Sequence, residues 1–262
     1  STWHAAGLLP LFNMSYSVGQ IHKYSVKFYQ ELQQETGMDV GFRNVSNIRL
    51  ATTADRMDEF RQYAGVASTI GVQVDMLTPD QVLDYWPMCN IDGLIGAIRH
   101  PEDGYIQPAD LTQALARGAR DRGATIYRNT VVTAIARTAS GEWKITTDKG
   151  EITCEHVISA TGNFARKTGQ MVGLDVPVIP VEHQYIVTEA HSDIQARHRD
   201  GKPEMGVLRD SDGRWYMREE AGGLILGPYE VGAPAFTHCL LCPPVLQTCP
   251  FQTLVLHRLI AP

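Results

Sequence analysis

Apolar positions recur along the chain with two periods, and the change from one to the other divides the sequence. Over residues 19–36, GQIHKYSVKFYQELQQET, Ile21, Tyr24, Phe28 and Leu32 follow at spacings of three and four. That spacing predicts an amphipathic helix, with Gly37 as its left-handed stop. Residues 45–52 carry apolar Val45, Ile48 and Leu50 and read as a strand. Residues 54–70 return to the helical period, with Met57, Phe60, Ala64 and Ala67 on one face. Thr78-Pro79-Asp80-Gln81 predicts a helix start, with Thr as cap, Pro first and Gln three after the cap; this short helix ends by Pro87. Ile95–Ile98 reads as a buried strand, and His100-Pro101-Glu102-Asp103-Gly104 as a turn in a surface loop. From Gln107-Pro108 a helix runs to about Arg122, where Gly123 stops it. Its small-residue face of Leu111, Ala114, Leu115, Gly118 and Ala119 is suited to close packing on a sheet or another helix.

From Ala124 the period becomes two. Ala124–Tyr127, Thr130–Arg137, Glu142–Thr147, Glu151–Thr153 and His156–Ala160 read as short strands, with turns at Ser140-Gly141 and Lys149-Gly150. The last of them runs into Thr161-Gly162-Asn163-Phe164 and a helix over Ala165–Val172. Ligands of α/β sheets sit outside such strand ends, although an ordinary strand–helix turn also calls for Gly. Residues 177–190 read as a β segment whose apolar pattern His183 interrupts. Val207–Arg209, Arg214–Arg218 and Leu224–Leu226 follow as strands, with a turn at Asp210–Gly213. Alternation places Tyr216 and Arg218 on one face. After Glu230 no period persists: residues 232–262 hold five prolines, three cysteines and one formal charge, Arg258. This stretch reads as a tail foreign to the domain before it.

Length and composition narrow the classes. A chain of 262 residues makes one large domain or two modest ones. Hydrophobic and charged contents of 44% and 20% are ordinary for a globular protein. A net charge of −6 argues against nucleic acid as partner. No apolar run is long enough for a transmembrane helix, and no membrane partner is expected. Cys89, Cys154, Cys239, Cys242 and Cys249 are too scattered for a disulfide framework and point to a reducing compartment. His238, Cys239, Cys242 and His257 fit no zinc spacing, so no metal is expected. At the start, Ser1-Thr2-Trp3-His4-Ala5-Ala6-Gly7 combines small residues, which admit a flat ligand, with hydroxyls and an imidazole nucleophile. Taken alone, His4 beside Trp3 reads first as a structural or surface histidine.

Several long motifs in order carry a resemblance. STWHAAGL at 1–8, IRLATT at 48–53, PEDGYIQPADLTQALARGAR at 101–120, ISATGNFARKTGQMVGL at 158–174, VPVIPVEHQYIVTE at 176–189 and WYMREEAGGLILGPYE at 215–230 are the stretches concerned. Over residues 1–230 the chain resembles the dimethylglycine/sarcosine dehydrogenase family of flavoproteins, of the D-amino-acid-oxidase-like superfamily. The resemblance implies an α/β (α+β) fold that joins part of a dinucleotide-binding domain to an antiparallel substrate sheet. Residues 1–44 and 124–175 would belong to the FAD-binding domain and 45–123 and 176–230 to the substrate domain. Residues 231–262 would be a poorly ordered non-family tail. The Gly-rich phosphate turn and the acidic ribose ligand precede residue 1 in this family, so the chain is expected to be a fragment truncated at both ends.

The implied roles are specific. His4 matches the family's covalent attachment point for FAD, and Ser1, Thr2, Trp3 and Leu8 would lie along the flavin. Val132, Ala160, Thr161 and Gly162 would contact the dinucleotide. His183 and Tyr216 would face the substrate. The implied reaction is oxidative N-demethylation of dimethylglycine, sarcosine or a similar amino acid by hydride transfer to FAD, through an iminium ion, in one-carbon metabolism. His183 would share the amine proton and Tyr216 would orient the amine or carboxylate. Arg218 would pair with a substrate carboxylate or form a structural salt bridge. Oxygen and an electron-transfer flavoprotein are both open as acceptors, and tetrahydrofolate belongs to a further domain of many members. The setting would be cytoplasmic, or the mitochondrial matrix in a eukaryote. Two alternatives stand beside this: a non-catalytic regulatory module on the same fold, and an oxidase of another secondary amine.

Overall fold

The computed structural model of the protein describes residues 4–233. Ser1, Thr2 and Trp3, the expected tail from residue 234 onward and the His238/Cys239/Cys242/His257 group lie outside the described residues. In chain order the first elements are β1 (Leu8–Leu9), α1 (Tyr16–Thr36), β2 (Asn47–Ala51), α2 (Ala54–Ile70), β3 (Asp75–Leu77), α3 (Pro79–Tyr85), β4 (Gly96–His100), β5 (Gly104–Tyr105) and α4 (Pro108–Asp121). Then come β6 (Val132–Arg137), β7 (Trp143–Thr147), β8 (Gly150–Cys154), α5 (Ala165–Gln170), β9 (Ile186–Val187), α6 (Ser192–Arg199), β10 (Val207–Asp210), β11 (Trp215–Glu220) and β12 (Gly223–Pro228). The helices start where local chemistry satisfies their first N–H groups. Thr53 Oγ1 accepts from Arg56 N, and Thr78 with Gln81 closes a reciprocal capping box.

The chain forms two compact units. The first holds residues up to Gly123 and His183–Val231; the second holds Ala124–Glu182. Residues 4–44 thus group with 45–123. The first unit is built on a seven-stranded sheet in the order β3-β4-β2-β10-β11-β12-β9. Only β2 and β10 run parallel; every other pair is antiparallel. Side chains alternate across such a sheet, so its register sorts residues into two faces. One face buries Ile48, Leu50, Leu77, Ala97, Leu208, Trp215 and Met217 against Val82 of α3, Ile194 of α6 and Trp86, whose indole N–H donates to Gly206 O at 2.8 Å. The other face is divided. At β4 and β2, Ile98 and Ala51 pack under Phe60, Tyr63 and Ala67 of α2. At β11 and β12, Tyr216 and Ile225 pack against Ala6, with Leu8 and Tyr185 beside them.

In the second unit β6, β7 and β8 form an antiparallel meander, with Arg137 lying over the Trp143 ring at 4.5 Å. Gly169 of α5 is buried against Val176. No helix of the described residues is long and apolar enough to cross a membrane.

Several expectations need correction. The α1 face of Ile21, Tyr24, Phe28 and Leu32 is buried only in its second half: Ile21 and Tyr24 are exposed, Leu32 is buried with Phe28 packed beside it, and Gly19 is the helix's other buried residue. Two packing contacts rotate the helix. A Cβ on Gly19 would sit 2.7 Å from Ile70 Cδ1 of α2, and Gly118 of α4 approaches Thr36. The small face of α4 therefore packs on a helix. Ala124–Tyr127 and His156–Ala160 form no strand, and 177–190 keeps only β9. A strand needs a neighbouring ladder, and no described residue pairs with 156–160, where Ile158 is 91% exposed. The 100–104 turn is only partly at the surface: Glu102 is exposed, whereas His100, Asp103 and Gly104 are buried, and both carboxylate oxygens of Asp103 accept the Leu11 N–H at 3.1 Å. Helix α6 is an addition that the apolar pattern does not announce.

Candidate functional site

The candidate site lies on the divided face of the first unit, at β11. Alternation along Trp215–Glu220 sends Tyr216 and Arg218 to that face, as their spacing predicts. Register sets Tyr216 between Arg209 of β10 and Gly227 of β12. A side chain at 227 would run into the Tyr216 ring, so glycine there is what lets the ring lie over its neighbour strand. The ring is 5% exposed. Burial, reinforced by Tyr229, pushes the Tyr216 hydroxyl up to about 12, which keeps it a proton donor at neutral pH.

His183 precedes β9 and is exposed. Its ring stacks on Tyr229 at 4.9 Å and 16° and stands 6.1 Å from the Tyr216 ring. Tyr229 is fixed by its backbone N–H, which donates to Arg214 O at 2.7 Å, and its hydroxyl accepts from Arg209 Nη2 at 3.1 Å. His183 and Tyr216, 33 positions apart in sequence, are thus in one aromatic cluster.

The His4 segment joins the same face. His4 is exposed, two residues before Ala6, which packs in the Tyr216 cluster. Three links hold this segment. Arg218 Nε donates to Ala6 O at 2.9 Å, Ile106 N donates to Gly7 O at 2.9 Å, and Leu8–Leu9 pairs with Gly104–Tyr105. Gly7 has a φ of 75°, and a Cβ there would strike Ile106 O. Leu8 borders Tyr216. Arg218 is 3% exposed, donates to Glu219 O, pairs with Glu220 at 2.6 Å and lies 4.1 Å over the Tyr105 ring.

Val132, Ala160, Thr161 and Gly162 belong to the second unit. Val132 heads β6 opposite Thr147, and Gly162 has a φ of 52° at the start of a short helical turn. Ala160, Thr161 and Gly162 are exposed.

Sequence reasoning missed four residues of the first-unit face. Arg49 pairs in register with Ile98 and Arg209; Arg209 lies over the Tyr216 and Tyr229 rings at 6.0 and 5.8 Å, and Tyr229 stacks on His183; Asp103 interacts electrostatically with Arg49. A charged residue within an otherwise apolar run, Ile48-Arg49-Leu50 and Val207-Leu208-Arg209, was the available signal. Burial and the neighbouring Arg209 draw Arg49 down to about 10. Burial pushes the Asp103 carboxyl up to about 8 and pulls the His100 imidazole down to about 3. Among the described residues no group of three or more His, Cys, Asp or Glu could hold a metal ion.

Comparison with known proteins adds to this geometry. The profile of the family described as "FAD dependent oxidoreductase" matches residues 1–247. The mitochondrial dimethylglycine dehydrogenase of Rattus norvegicus is 39% identical over 230 residues, which are 88% of this chain and 26% of that protein. A 4-methylaminobutanoate oxidase (formaldehyde-forming) of Paenarthrobacter nicotinovorans is 34% identical over 231 residues, 88% of this chain and 27% of that protein. The chain thus spans about a quarter of the length of these relatives. The crystal structure of glycine oxidase from Geobacillus kaustophilus superposes with a TM-score of 0.73 at 26% identity, covering 90% of this chain and 62% of that one.

Proposed function

Because the chain belongs to the family of FAD-dependent oxidoreductases, we propose that the protein containing it oxidatively demethylates a small N-methyl amino acid. Dimethylglycine, sarcosine and longer methylamino acids are the candidates, and the β11 face is where the substrate binds. One observation carries this reading: the exposed His183 stands beside the protonated Tyr216 in an aromatic cluster that also receives the His4 segment.

The residues present fit FAD. His4 is exposed at the end of a segment tied down by Arg218, Ile106 and Gly104–Tyr105, so a flavin tethered there would meet the Tyr216 face. Ser1, Thr2, Trp3 and Leu8 complete the proposed flavin contacts, and Val132, Ala160, Thr161 and Gly162 the proposed dinucleotide contacts. When bound, FAD supplies a two-electron acceptor for the C–H bond next to the amine nitrogen.

The chain's own groups do the rest. The amine must be neutral, since a protonated nitrogen has no lone pair to stabilise an iminium ion. His183 takes that proton. Tyr216 donates its O–H to the amine or the carboxylate. Water adds to the iminium carbon and releases formaldehyde and the demethylated amine. Of the two roles open to Arg218, holding the Ala6 carbonyl suits its contacts, because burial, a backbone acceptor on each side and Glu220 occupy its guanidinium. An electron-transfer flavoprotein as acceptor and a reducing compartment such as the mitochondrial matrix belong to the same reading.

The test uses the flavin-loaded full-length protein. His183→Ala should lower kcat/KM by about a hundredfold or more and remove the acid limb of its pH profile. In the same preparations, acid-precipitated protein should keep its yellow flavin unless His4 is replaced by Ala. An unchanged rate and profile in His183→Ala would remove His183 from this account.

A further inference from the structure

The turn that joins β10 to β11 borders the site and is tied to a distant helix. Strands β2 and β10 run parallel, so their carboxyl ends lie side by side. Thr52 follows β2 and leads into α2, and Asp212 sits in the turn after β10. Across 156 positions of sequence, Arg56 of α2 donates from Nε and Nη2 to Asp212 Oδ1 at 3.3 and 2.8 Å. Thr52 Oγ1 donates to Asp212 Oδ2 at 3.5 Å. Arg56 Nη1 meets Glu59, one turn further along the helix.

Helix α2 has no local need of this arginine. A cation in the first turn opposes the helix dipole, and the Arg56 N–H is already capped by Thr53. The pair also adds little to overall stability, since its side chains are 24% and 29% exposed and solvent screens such pairs. Its effect falls on the turn. Arg214, which closes that turn, has a φ of 58°, a conformation that a long side chain seldom adopts and that its surroundings must hold. From inside the turn, Gly213 N donates to Asp210 Oδ1 at 2.7 Å. From outside, Arg56 holds Asp212. The backbone at 214 aims the Arg214 carbonyl, which accepts the Tyr229 N–H at 2.7 Å. The Tyr229 ring in turn stacks on His183 at 4.9 Å and 16°. A continuous series of contacts therefore runs from the α2 guanidinium to the His183 imidazole.

We infer that Arg56 is a positioning residue of the candidate site: through Asp212 and the β10–β11 turn it sets the place of the Tyr229 ring, and thereby of His183. Arg56 touches no substrate in this arrangement, so it governs turnover rather than substrate affinity. The inference rests on the proposed amine oxidation for the role of His183; the link from Arg56 to Tyr229 does not.

The experiment uses the flavin-loaded full-length protein and whichever of dimethylglycine, sarcosine and 4-methylaminobutanoate it oxidises fastest. Backbone hydrogen exchange at Tyr229, read by mass spectrometry, accompanies the kinetics. Arg56→Met should speed exchange of the Tyr229 amide about tenfold, because the turn opens more often. It should lower kcat about tenfold and leave KM within about twofold, the cost of a misplaced proton acceptor. Arg56→Lys keeps the charge but not the two-point contact and should fall between. Glu59→Gln, which removes the other partner of Arg56, should change neither reading. In a His183→Ala background Arg56→Met should alter kcat by less than about twofold, since both act through one group. An equal loss of kcat in both backgrounds, or unchanged exchange at Tyr229, would overturn the assignment. If Arg56→Met fails to fold, Asp212→Asn makes the same comparison from the turn. If no N-methyl amino acid is oxidised, the proposed reaction fails, while exchange at Tyr229 still decides whether Arg56 holds that ring.

Discussion

Asp103 is completely buried, and both its carboxyl oxygens meet a single donor, the Leu11 N–H. Burial pushes this carboxyl from an ordinary 3.8 up to about 8. The folded chain therefore holds the proton more tightly than the unfolded chain. The stability this gives is full below about pH 4, declines as pH rises and is lost above about pH 8. His100 acts at the other end: its pKa is drawn from 6.5 to about 3, so its contribution is lost as pH falls through that interval. Asp103→Asn should flatten the alkaline decline and leave the acid one in place. Melting temperatures of both proteins across pH 4 to 9 check this, and parallel curves would contradict it. At this scale the sequence discloses roles carried by local spacing. Tyr216 and Arg218 share a face because strand side chains alternate, and His183 shows itself by breaking an apolar run. The partners of Arg218 are not legible in that way, since Ala6 is 212 positions away. Nor is the Arg49–Arg209 pairing, which depends on the register of two strands 160 positions apart.

Elements were legible where their signals are local. Helix α2 runs over the predicted 54–70, and α3 begins at the predicted cap because the Thr78–Gln81 box is closed within four residues. Helix α1 has the predicted stop at Gly37, in the left-handed region, yet buries only the Phe28–Leu32 half of its predicted stripe, together with Gly19. Which stripe faces inward depends on α2 and α4, and no property of α1 alone reveals it. Strands are less legible because a ladder needs a partner, as the unpaired 156–160 segment demonstrates. The β11–β12 pair offers a direct test. Gly227→Ala places a methyl group against the buried Tyr216 ring. Overpacking of this kind costs about 1–3 kcal/mol. The melting temperature should fall, and kcat/KM for the N-methyl amino acid should fall by about tenfold, since the ring is displaced from His183. Unaltered melting and turnover would mean that Tyr216 does not need its place over Gly227.

For the molecule as a whole, membership of the FAD-dependent oxidoreductase family was readable from six ordered motifs, which no single short pattern would have supported. The mixed α/β architecture was implied by that resemblance, and the change of period at Ala124 coincides with the boundary after Gly123 between the two units. The return of the chain to the first unit at His183 has no local signal, and only the resemblance grouped 176–230 with 45–123; β9 is two residues long and finds its place by pairing with β12. That return is what brings His183 to Tyr216 and Tyr229, and so the candidate site depends on a tertiary contact. The claim that joins these levels is that a small N-methyl amino acid reacts at this face. Anaerobic mixing of the flavin-loaded full-length protein with dimethylglycine, sarcosine or 4-methylaminobutanoate tests it most directly. The account predicts that at least one of them bleaches the visible flavin absorbance and yields one formaldehyde per flavin reduced. Flavin that stays oxidised with every N-methyl amino acid, in protein that demonstrably holds it, would contradict the account.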